Sequence, residues 1–448
     1  MAAPVAVTYT PTAEMPLMKG IRAELVEALD KNESLFEVTL MLGDVVKDLE
    51  RVRGKVSIGK TLECFEEGVP LLQMASLLHY VNVKLLRSII AGTLAYDLYQ
   101  DQDLGANCQY NENCSPGTYV VSLSIKGREG KFLNIKELRA LADWVDEYAE
   151  GAETWNSNDR TWDDQDPLHI AARDFIKDVD SRAGRADPDV EPRFGPTTEA
   201  IKRLRELARM FRRRADMPLD VQNRGETYQI QAPVMVGCTA ETIAEGTKAH
   251  VPQCTDVNSL YPAANSLQNT TKTWALTVSL LYYMDLEPDI VHVAALPFFN
   301  PNDLPLTEIL LTTMARSFVW QDGFNVIQGG GKSDENYQNR GYEEKRNVCH
   351  ARDFLEKNLF MSLERIQELR NKIAIIENLE GMDLDALDIE VNKLQAKKNE
   401  LQLAVNEYEK SEAKLAERVQ AAAALVEQQD EMLQQWRGWN EFLDLLGE

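Results

Sequence analysis

The chain has 448 residues, 44% of them hydrophobic, and its 72 acidic against 48 basic side chains leave a formal net charge of −24. That length accommodates two or three domains with full cores, and the apolar content excludes wholesale disorder. The acidity argues against strong, unaided binding to nucleic acid or to an anionic membrane, because both rest on a surplus of cations.

Six cysteines, Cys64, Cys108, Cys114, Cys238, Cys254 and Cys349, are sparse for this length and form no CxxC pair. They fit free thiols better than a disulfide framework or a zinc site. Neither a basic stretch nor an apolar core of a secretory signal follows Met1, so the expected location is cytoplasm or nucleus.

In chain order, residues 1–17 are rich in Ala, Pro and Thr and read as a tail. Residues 18–115 read as a helical region. Within it Leu35, Val38, Leu42, Val45, Leu49, Val52 and Val56 keep a heptad spacing, with Asn32 and Ser34 as candidate caps. The most apolar stretch, 69–99, carries Lys84 and Arg87 near its middle and Pro70 at its start, which suits a buried bundle helix rather than an integral membrane segment. A segment released by a pore-forming protein is the alternative.

Residues 116–220 read as mixed. A strand over 119–125 is followed by the turn KGREGK, a helix over 135–149 and a polar loop over 151–166 that carries Trp155 and Trp162. The one basic helix spans 197–216, with Lys202, Arg203, Arg205, Arg209, Arg212, Arg213 and Arg214 around a seam of Ile201, Leu204, Leu207 and Met210. Arg209, Arg212, Arg213 and Arg214 are its candidate phosphate-binding residues. A solvated face that pairs with the protein's own carboxylates is the competing reading.

Residues 221–331 alternate strand patterns at 227–237 and 289–295 with a helical one at 307–318. The sequence GETYQIQAPVMVGCTAETIAEGTKAH at 225–250, with Glu308 in LPLTEILL and Asn325 in GFNV, resembles a GIY-YIG-like nuclease domain. The resemblance implies Tyr228 as the first tyrosine, Glu308 as ligand of a divalent ion such as magnesium, and Asn325 as a supporting residue. Met235 replaces the second tyrosine, and Glu245 or Gly246 lies where the family's arginine is expected. Without that cation the developing phosphate charge has no partner, so the resemblance implies a degenerate site.

Other chemistry is thin. The run GGGK at 329–332 lacks the spacing of a phosphate loop, and the five histidines, His79, His169, His250, His292 and His350, form no HxxxH or HExxH pair.

From 384 to 436 the chain repeats every seven residues. Val391, Lys398, Val405, Glu412, Val419, Val426 and Leu433 occupy one seam position. Leu387, Leu394, Leu401, Tyr408, Leu415, Ala422, Gln429 and Trp436 occupy the other. A sustained 3.5-residue period is the mark of a coiled coil, and Val with Leu at these positions favours two parallel strands. The candidate interface is Leu387, Val391, Leu394, Leu401, Val405, Leu415, Val419 and Val426. Leu355, Leu359, Ile366, Leu369, Ile373 and Ile376 form a shorter seam before Gly381, so a fold-back hairpin is an alternative, as is packing against the N-terminal seam.

The expected fold is therefore α+β and predominantly helical, with long N- and C-terminal helices forming a coiled-coil or helical stalk around an inserted mixed α/β domain, and residues 345–448 as the coil. The expected function is non-enzymatic assembly by self-association or with a helical protein partner, without cofactor or metal. A divalent-metal endonuclease or nucleic-acid-binding protein and a helical pore former are the alternatives.

Overall fold

In the computed structural model the described residues are 18–50, 63, 65, 69–110, 116–182, 191–216, 225–239, 244, 247, 272–297, 303–327, 329, 352–379 and 384–446. The tail, Val52 and Val56 of the N-terminal seam, Cys64, Cys114, Cys254, Cys349, Glu245, Gly246, His250, His350 and residues 330–332 of the GGGK run lie outside them. Contacts divide the chain into two units, residues 1–366 and residues 367–448.

The first unit contains α1 (Ile21–Asp30), α2 (Leu35–Leu40), α3 (Leu42–Glu50), α4 (Val69–Leu78), α5 (Val83–Ala91), α6 (Leu94–Gln100), α7 (Gln102–Asn107), β1 (Gly117–Ile125), α8 (Ile135–Ser157), α9 (Pro167–Arg182) and α10 (Thr198–Ala215). It continues with β2 (Val234–Thr239), α11 (Lys272–Tyr283), β3 (Pro288–Pro297), α12 (Asp303–Met314) and the first half of α13 (Phe354–Leu379). The second unit holds the rest of α13 and α14 (Leu384–Leu446).

The sheet has the order β2-β1-β3 and is antiparallel throughout, with Val120 opposite Val236 on one side and Val293 on the other. All nine residues of β1 are buried, so both faces of the sheet are covered. Alternation decides which side chain meets which layer. Tyr119, Val121, Leu123 and Ile125 enter the cluster built from α8, α9, α10 and α11, and Val120 enters the one built from α1 to α6 and α12.

Local sequence sets the helix boundaries. Asn134 and Glu137 close a capping box on α8, with Glu137 N donating to Asn134 Oδ1 at 2.9 Å and Asn134 N to Glu137 Oε2 at 3.0 Å. Asn82 caps α5 by accepting from Lys84 N and Leu85 N. Gly92 ends α5 at φ 72, the left-handed conformation glycine adopts without strain.

Four expectations need correction. The N-terminal seam does not form a long stalk helix: Leu35, Val38, Leu42, Val45 and Leu49 sit on α2 and α3, buried in the first unit, the head, against α1, α4 and α12. The boundary expected at 220 runs through one sheet, because β1 from the earlier segment lies between β2 and β3 from the later one. The loop expected at 151–166 is helical to Ser157, and Trp155 is buried. The apolar stretch 69–99 is three helices, and among the described residues no helix is long and apolar enough to cross a membrane.

Candidate interaction surface

α14 is 63 residues long, about 95 Å at the α-helical rise. Its sequence is built from Ala, Leu, Glu, Gln and Lys without proline, and each of these is a strong helix former. Local pairs add to this: Lys393 Nζ lies 3.2 Å from Glu390 Oε2, and Gln395 Nε2 donates to Asn399 Oδ1 at 3.4 Å.

Every residue from 388 to 437 is exposed. Val391, Leu394, Leu401, Val405, Leu415, Val419 and Val426 of the predicted interface are among them, between 48% and 63% accessible, and Trp436 reaches 71%. The side chain of Leu387 lies outside the described set. The fold-back hairpin is not formed, since Ile373 and Ile376 on α13 are also more than half exposed. Among the described residues the stripe is covered by no other part of the chain.

The first half of α13 belongs to the head and docks there through Phe354, edge-on to Tyr110, and through polar groups that the sequence reading missed. Asn358 and Ser362, one turn apart, are 3% and 4% exposed, while Leu359, Phe360 and Leu363 beside them are more than half exposed. Asn358 Nδ2 donates to His79 O at 3.0 Å and Val81 O at 2.9 Å. Arg365 Nε bonds Glu37. His79 Nδ1 lies 2.8 Å from Ala75 O, which only accepts, so Nδ1 carries a hydrogen, and Nε2 lies 2.8 Å from the Ser362 hydroxyl. That spacing suits a nucleophile and its base. Ser362 is buried, however, and also accepts from Phe36 N, so the pair acts as an anchor.

The three residues of the nuclease resemblance are not brought together. Tyr228 precedes β2 outside any strand and stacks on Arg128, 4.0 Å from its ring centre, just past the C-terminal end of β1. Glu308 on α12 accepts from Cys238 Sγ at 3.2 Å, and Cys238 pairs with Thr118 at the other end of β1. The intervening strand is about 20 Å long. Asn325 spends its amide on the outer edge of β2, donating to Val236 O at 2.8 Å and accepting from Val236 N at 2.9 Å. Burial, with the neighbouring Cys238 and Glu308, pushes the Tyr119 phenol up, so the surroundings of Glu308 hold a neutral hydroxyl. Among the described residues no group of three His, Cys, Asp or Glu could hold a metal ion.

The basic helix is α10; Arg214 is buried, and most of the helix's other arginines pair with carboxylates or carbonyls while Lys202, Arg209 and Arg213 stay exposed. Arg212 bridges Asp143, at 2.8 Å, and Asp146 of α8, Arg205 bonds Glu153, and Arg209 bonds Glu206. Arg213 donates to Val319 O at 3.3 Å and Gln321 O at 3.0 Å, and Arg214 is 1% exposed and donates to Asp322 O. Arg214 therefore takes no part in a phosphate-binding face, while Arg213 keeps an exposed side chain. Their sequence spacing marked the helix but not its covered side.

No family model matches the chain, and neither does any curated protein or solved structure.

Proposed function

We propose that this protein is a non-enzymatic assembly protein in which a mixed α/β head is carried on a coiled-coil strand that pairs with a second copy of the chain. The observation behind this reading is the unbroken exposure of residues 388–437 along a Val/Leu heptad seam. Seven heptads offer roughly 28 residues a side at the seam and its flanks, within the ~20–30 of a stable interface. Burying them removes from water a stripe that a monomer would leave wet.

Sedimentation equilibrium of the full chain tests this directly. A dimer is expected at micromolar concentration, and Leu394→Asp with Leu401→Asp should return it to monomer with the head's unfolding transition intact. The variant is informative because both leucines are exposed in the single chain and support no head packing. A wild-type monomer across the concentration range would sink the reading.

A further inference from the structure

We infer that the two copies of α14 run antiparallel, in the register where facing seam residues have numbers adding to 827; this rests on the self-pairing proposed above.

The seam side chains are unequal in size and charge, and the two orientations distribute them differently. The Val and Leu preference of the two seam positions taken alone favours a parallel pair, but in that pair, in register, every seam residue meets its own copy. Trp436 would face Trp436 and Tyr408 would face Tyr408, both overfull layers, while Ala422 against Ala422 would leave a void. Lys398 would meet Lys398, and Glu412 would meet Glu412, two like-charge layers.

An antiparallel pair instead sets each residue of one seam position against a residue of the other. With α14 running from Leu384 to Leu446, the register adding to 827 overlaps residues 384–443, nearly the whole helix. Trp436 then meets Val391, Tyr408 meets Val419 and Ala422 meets Val405, so no extreme of size faces itself. Lys398 meets Gln429, which brings two of the three polar seam residues together. Asp388 and Arg437, on the flank, face each other with opposite charge, and both side chains are exposed in the single chain. Glu412 faces Leu415 and lies one layer from its own copy, a single like-charge approach in place of two. Sliding one heptad either way sets Lys398 against Ala422 or Trp436 and loses the polar match.

The consequence is geometric. The two points where the chains enter α14 would lie at opposite ends of a rod about 90 Å long. The assembly would hold its two attachments apart rather than side by side.

Single added cysteines at the seam test orientation and register. Two chains with tags of different size, one carrying Leu394→Cys and the other Leu433→Cys, are mixed and oxidised, with the wild-type chain controlling for native thiols. The mixed disulfide between positions 394 and 433 is expected, with no 394–394 disulfide from Leu394→Cys alone. A 394–394 disulfide, or a dimer that forms no mixed disulfide, overturns the antiparallel register and leaves self-pairing standing. A monomer in sedimentation before any oxidation overturns the self-pairing itself.

Discussion

Arg22 and Asp322, 300 residues apart in sequence, form an ion pair of 3.2 Å inside the head, with side chains 4% and 14% exposed. Asp322 also receives Arg316 at 3.1 Å, Arg316 reaches on to Asp48, and the Asp322 carbonyl accepts from Arg214. The network ties α1 and α3, from one layer, to the end of α10 and the turn after α12. Burial brings Arg22 and Arg214 down to about 10, so both remain charged at neutral pH.

Asp322→Asn is expected to destabilise the head by about 3–5 kcal/mol, because it leaves buried guanidinium groups without their countercharge. Burial pushes the Asp322 carboxyl up, but Arg22, Arg316 and Arg214, with the hydrogen bond from Arg316, outweigh it and hold the group below its ordinary 3.8. A depressed carboxyl contributes stability that is present above its unfolded value and lost as pH falls through its folded one. Urea unfolding of the wild type should thus weaken progressively below about pH 4, and the variant should lose less over the same interval. Parallel acid limbs for the two proteins would contradict the network's role.

Asn325→Ala is expected to cost about 2–4 kcal/mol, since the amide serves a donor and an acceptor of Val236 at a buried strand edge. Asn325→Asp keeps the acceptor but replaces the donor with an oxygen facing Val236 O, so it should not rescue. Thermal unfolding by circular dichroism reads both variants. A melting temperature within a degree of wild type in either would show that β2 does not depend on this side chain.

What the sequence made legible follows from how each residue is used. β1 was readable because Val121, Leu123 and Ile125 alternate with small polar residues, and the long helix α14 because its seam keeps one period for seven heptads. The central place of β1 was hidden by Thr118, Ser122 and Ser124, which look solvent-facing yet are buried, Thr118 against Thr307 of α12. Leu35 to Leu49 misled because a heptad spacing over so few residues also fits two short amphipathic helices joined at Met41. Arg22 was a readable sign, being the one charge on a face with Leu25, Val26 and Leu29, although nothing local named Asp322 as its partner. Tyr228 and Glu308 shared a motif in sequence, and the sheet register separated them.

Asn358 and Ser362 lead to the last prediction, which reverses the usual expectation for a helix surface. On the first half of α13 Asn358 and Ser362 are buried, and Leu359 and Leu363 beside them are exposed. Asn358→Ala removes a donor shared by His79 O and Val81 O, and Ser362→Ala removes the bridge between His79 Nε2 and Phe36 N. Each should weaken docking by about 1–3 kcal/mol, whereas Leu359→Ala, on the wet side, should stay within roughly 0.5 kcal/mol. Hydrogen exchange resolves the difference: amides of 354–366 should exchange faster in the two polar variants while those of β1 keep their protection. Faster exchange in Leu359→Ala alone would mean that the apolar side carries the anchor.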